Sequence, residues 1–126
     1  MKSYTDLNQS KKLAEILSLE SADMKWFVPA DNEGEFIEEV NFINNKSEYT
    51  LFDRVTDWND TPYLPCWSLV ALLHVLPYPT LHQQRDGAWG LDVWVEQVKP
   101  YSVKNAICEV DACYEMIIKL HEQKLL

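Results

Sequence analysis

The chain has little of what usually marks an activity. Only three of its 126 residues are glycine, so no Gly-rich loop is available to cradle a phosphate. Three cysteines, Cys66, Cys108 and Cys113, cannot pair completely. Each stands among apolar neighbours, which predicts reduced core thiols in a reducing compartment. Cys108 and Cys113 are five apart and fall on different faces of a helix, and the three histidines are scattered. No metal and no cofactor are therefore expected. No apolar run reaches the ~18 residues of a membrane span. The opening Met1-Lys2-Ser3-Tyr4-Thr5-Asp6 has no apolar signal core, so the cytoplasm is the expected location. Basic residues are also scarce. Eleven Lys and Arg face twenty Asp and Glu, a formal net charge of −9, and there is no cationic surplus to release counterions from a phosphate backbone. Nucleic acid is disfavoured as a partner, and a protein, for which a basic surface would be complementary, is favoured.

The remaining composition is that of a packed protein. Apolar residues make up 47% of the chain and fifteen residues are aromatic. A domain of this length buries roughly two-thirds of the surface its unfolded chain exposes. No repeat or second composition regime is visible, so residues 1–126 read as one domain.

Thr5 is placed to cap an amphipathic helix running to about Leu17, with Leu7, Leu13, Ile16 and Leu17 on one side. Met24 to Val28 reads as a strand stopped by Pro29, and Phe36 to Phe42 as a second. Tyr49 to Val55, rich in β-formers, reads as a third. Thr56 to Pro65 has the composition of an irregular loop. Between Pro65 and Pro77, nine of eleven residues are apolar and surround the segment, which predicts a helix from Cys66 to Leu76 buried on most sides. Thr80 to Arg85 and Ala88 to Val98 flank Asp86-Gly87, a dipeptide suited to a two-residue hairpin turn. A last helix spans roughly Glu109 to Gln123, with Val110, Cys113, Tyr114, Ile117 and Leu120 inward and Glu115 and Lys119 as a solvent pair.

Few constellations carry chemistry. Cys66 at a helix N-terminus would favour thiolate, and His82 and Asp92 follow on adjacent strands. This order superficially resembles papain-like and NlpC/P60 cysteine peptidases. However, the Cys-to-His separation is much shorter, and only the Cys66-Trp67 pair matches around the nucleophile. A two-residue turn also pairs Arg85 with Ala88, which sets His82 opposite Leu91 and turns Asp92 to the other face of the sheet. A base and its orienting carboxylate cannot meet through a sheet, and only a three-residue loop would bring them together. Asp53, Asp57 and Asp60 lack the glycine and bidentate Glu of a calcium loop. Glu33, Glu35, Glu38 and Glu39 read as solvated surface or as an acidic patch for a basic partner. Trp58, Trp67, Trp89 and Trp94 could line a pocket, with Trp67 and Trp89 better read as core. Trp94 shares a strand face with Asp92 and Glu96. It is either covered by a helix or a recognition residue, and those three residues form the candidate binding set.

Leu19 to Met24, Pro65 to Leu73 and Asp111 to His121 resemble segments of small uncharacterised proteins from gut Bacteroidetes genomes and their phage-like or mobile elements. The resemblance implies a cytoplasmic accessory protein and no particular activity. The expected fold is a single α+β domain, with an antiparallel sheet of about five strands packed against a buried central helix and covered by the N- and C-terminal helices. The expected function is that of a non-enzymatic, acidic interaction module. The alternative is a small cysteine hydrolase using Cys66 and His82.

Overall fold

A computed structural model describes residues 2–27, 39–52, 55, 57–58, 62–96 and 99–126. The chain divides into two compact units, Asp6–Ser68 and Met1–Thr5 with Leu69–Leu126.

The first unit begins with α1 (Leu7–Ala14), capped not by Thr5 but by Asp6. The Asp6 carboxylate accepts from the Gln9 backbone N–H at 2.8 Å while the Gln9 amide oxygen accepts from the Asp6 N–H at 3.1 Å. This reciprocal pair satisfies two N–H groups, and Thr5 is fully buried. Strands β1 (Met24–Phe27), β2 (Glu39–Phe42) and β3 (Tyr63–Cys66) form an antiparallel sheet in the order β2-β1-β3. Buried Met24 and Trp26 lie opposite Cys66 and Leu64. Trp67 follows, fully buried, and its indole N–H donates to the Ser21 hydroxyl at 2.9 Å. Asp23 then fixes the end of the unit, accepting from the Ser68 backbone N–H at 2.9 Å and from the Ser68 hydroxyl.

The second unit begins with α2 (Leu69–Val75) and continues through β4 (Thr80–Gln83), β5 (Trp89–Val93), β6 (Tyr101–Ala106) and α3 (Glu109–Glu122). The three strands form a second antiparallel sheet in chain order. α3 packs on β5, β6 and α2. Leu91, Val93, Val103 and Ala106 from the strands are buried, as are Val110, Ala112, Cys113, Met116, Ile117 and Leu120 from the helix. The pattern on α3 is the apolar stripe expected from its sequence, except that Tyr114 is only half-buried. Lys119 does not serve as a solvent partner for Glu115. Its amine donates to the Ser102 carbonyl at 2.9 Å, tying α3 to β6.

The α+β class expected from the sequence is found, and several of its details are corrected. In place of one sheet of about five strands, the described residues form two sheets of three. Lys46–Leu51 is a 3-10 helix and not part of a strand, because the Asn45 side chain accepts from the Ser47 N–H at 3.0 Å and caps it. Tyr63–Cys66 and Tyr101–Ala106, absent from the sequence reading, supply the missing strands. The helix expected from Cys66 to Leu76 begins only at Leu69, since Cys66 closes β3. It is also one-sided. Ala71 and Leu72 are buried, whereas Val70 is 61% exposed and His74 faces solvent.

Candidate functional site

The β4–β5 hairpin shapes the open face of the second sheet. Its turn is not the two-residue loop that Asp86-Gly87 suggests. The Gln84 N–H donates to the Ala88 carbonyl at 2.7 Å and the Gly87 N–H to the Gln84 carbonyl at 3.0 Å, leaving Arg85, Asp86 and Gly87 as the loop. Gly87 has φ +89°, the left-handed position of a three-residue turn, and the Asp86 carboxylate accepts from the Ala88 N–H at 3.0 Å. One extra loop residue shifts the register by one. Leu81 pairs with Leu91, His82 with Gly90 and Thr80 with Asp92. The expected pairing of His82 with Leu91 is therefore wrong, and so is the objection built on it. His82 and Asp92 occupy the same face.

Gly90 determines how the imidazole lies. A Cβ at this position would fall 2.2 Å from His82 Cε1 and 2.7 Å from Nε2, so the ring rests where any other residue would carry its side chain. The Nε2 atom stands 3.6 Å from Asp92 Oδ2, beyond hydrogen-bond reach. The other carboxylate oxygen, Oδ1, accepts from the Ser102 hydroxyl at 2.5 Å, with Ser102 directly across the ladder from Asp92. The pair remains open to solvent, His82 by 44% and Asp92 by 34% of their side chains.

Among the described residues, no cysteine joins this arrangement. Cys66, the proposed nucleophile, closes β3 in the first unit, is completely buried and stands at no helix N-terminus. Ser102 is bonded to the acid, whereas an activated hydroxyl must reach the base. The other two thiols are both raised above their ordinary range. Burial, reinforced by Glu109 and Cys108, pushes the Cys113 thiol up to about 12. Cys108, at the N-cap of α3 and half-buried, is also raised, chiefly by burial. We expect Cys108 to react first with a maleimide at neutral pH, and Cys66 and Cys113 only after urea unfolding. Rapid native labelling of Cys66, read by mass spectrometry of peptides, would restore the thiol-enzyme reading.

Trp94 follows directly on β5 and is 39% exposed. Its backbone N–H donates to the Pro77 carbonyl at 3.2 Å, closing the end of the β4–β5 pair. Tyr78, with φ +45° and 81% exposed, lies at the same end. Glu96, also exposed, lines an open groove of about 310 Å³ with Lys99, Pro100 and Tyr101. The three residues of the candidate binding set are thus not alike. Asp92 is engaged by Ser102, while Trp94 and Glu96 lie beyond the strand end. Tyr78, Gly90 and Ser102 were not foreseen. A glycine inside a strand was the one available signal, since it marks a close approach.

Among the other tryptophans, Trp67 is core, Trp89 is half-buried, and half-buried Trp58 meets Phe52 edge-on with ring centroids 6.1 Å apart. Asp57 and Glu39 are exposed, while Glu33, Glu35, Glu38, Asp53 and Asp60 lie outside the described residues. Charge is divided unevenly along the chain. Residues 6–68 carry thirteen acidic and five basic side chains, and the remainder seven and six. The negative field therefore belongs mainly to the first unit, and the aromatic end of the second sheet sits in a nearly neutral segment. Among the described residues, no helix is long and apolar enough to cross a membrane, and no three His, Cys, Asp or Glu side chains gather around a common point. Comparison with family models, curated proteins and solved structures finds no match.

Proposed function

We propose that the chain is a non-enzymatic interaction module that recognises another protein, with Trp94 as its anchor. One observation carries the reading. A large aromatic side chain stays 39% exposed at the end of a sheet whose opposite face is packed under α3. Solvent-accessible tryptophans beside polar groups are favoured anchors of interfaces, because one rigid ring contributes much contact area at small entropic cost. Tyr78 and the groove along Glu96 and Tyr101 extend the surface available at that end. Hydrolysis has weaker support, since among the described residues no hydroxyl or thiol is hydrogen-bonded to the His82 imidazole, Ser102 being bonded to Asp92 instead, and Cys66 is buried.

The charge division separates two contributions to binding. The acidic segment 6–68 attracts a basic partner over distance and raises the association rate, whereas Trp94 holds the partner once docked. Salt should therefore slow association more than it speeds dissociation. The test is a comparison of Trp94→Ala with the unmodified chain for partner capture and for thermal stability.

A further inference from the structure

The His82–Asp92 pair invites a reading independent of the interaction at Trp94. Two ligand atoms about 2.1 Å from a common zinc ion at the tetrahedral angle stand about 3.4 Å apart. Here Nε2 of His82 and Oδ2 of Asp92 are 3.6 Å apart, within ion-pair distance if the imidazole is protonated, too far for a hydrogen bond, and close to the spacing of two ligands on a shared ion. Both ligands are held. The missing Cβ of Gly90 seats the imidazole, and Ser102 occupies Oδ1 of the carboxylate, leaving Oδ2 as the oxygen beside the imidazole. Support of a ligating carboxylate by a neighbouring hydrogen bond is a recurrent feature of metal sites.

Two ligands are half of a tetrahedral set, and among the described residues no third His, Cys, Asp or Glu side chain joins them. A second copy of the chain offers the same two. The pair lies on an accessible sheet face, and a two-fold axis through the ion would oppose His82 and Asp92 to their equivalents, completing two nitrogens and two oxygens. We propose that His82 and Asp92 form a zinc half-site through which two copies of this chain are bridged.

Sedimentation velocity of the full chain with added zinc chloride tests this. The expected result is conversion from monomer to dimer at one zinc per two chains, reversed by a chelator. His82→Ala, an exposed position, should abolish the dimer while leaving the fold intact. Gly90→Ala should also abolish it, because its Cβ displaces the ring. Ser102→Ala should weaken zinc binding about 10-fold or more, the usual effect of losing a supporting partner. Zinc-independent behaviour, zinc binding by a persistent monomer, or a zinc dimer that survives His82→Ala would each overturn the proposal.

Discussion

Trp67→Ala should destabilise the protein by about 3 to 5 kcal/mol, the range for removing a fully buried large aromatic side chain. The tryptophan has no exposed surface, and its loss would leave both a cavity and the Ser21 hydroxyl without its indole donor. It also sits between β3 and Ser68, where the Asp23 carboxylate holds the backbone. The cavity would therefore open where the first unit is tied together. Equilibrium urea unfolding measures the change, and a shift below about 1 kcal/mol would mean that the indole is not packed as described.

The second large effect distinguishes two descriptions of one helix. Leu72→Ala should cost about 2 to 5 kcal/mol, since Leu72 is completely buried in α2. Val70→Ala, two residues away, should cost less than about 0.5 kcal/mol, because that side chain is 61% exposed. A helix buried on most sides, as the apolar sequence alone suggests, would make both substitutions costly. The difference between them measures how one-sided α2 is.

This helix also illustrates what the sequence conceals. Nine apolar residues between two prolines look like one buried helix, yet the first part of the run is strand. Pro65 misleads because it resembles a helix start, whereas it stands in β3, an edge strand among the described residues, where a missing N–H is tolerated. Tyr49 to Val55 misleads in the opposite sense. Its β-forming side chains are overridden over Tyr49 to Leu51 by the local cap at Asn45. Strongly periodic α3 was legible almost to the residue.

The hairpin was legible in position but not in register. Asp-Gly serves equally as a two-residue turn or as the end of a three-residue turn with glycine in the left-handed position. The flanking residues could have decided the matter. The two-residue turn places His82 on the face of Leu91 and Val93 and turns Leu81 outward, whereas the observed register pairs Leu81 with Leu91 and frees His82. That one-residue difference creates the His82–Asp92 pair. Trp94, by contrast, could be placed on a face by alternation, but its exposure depends on what α3 covers, and α3 packs on the other side.

The most direct test of recognition through Trp94 combines two readouts on one variant. Unmodified chain and Trp94→Ala are immobilised in parallel, exposed to an extract of the source cells at physiological salt, and compared for the protein retained, while their melting temperatures are recorded. Melting temperatures within about 2 °C of each other, with retention lost from the variant alone, are the expected result. A fall in melting temperature of about 8 °C or more would make Trp94 a packing residue, and equal retention by both chains would place recognition elsewhere on the molecule.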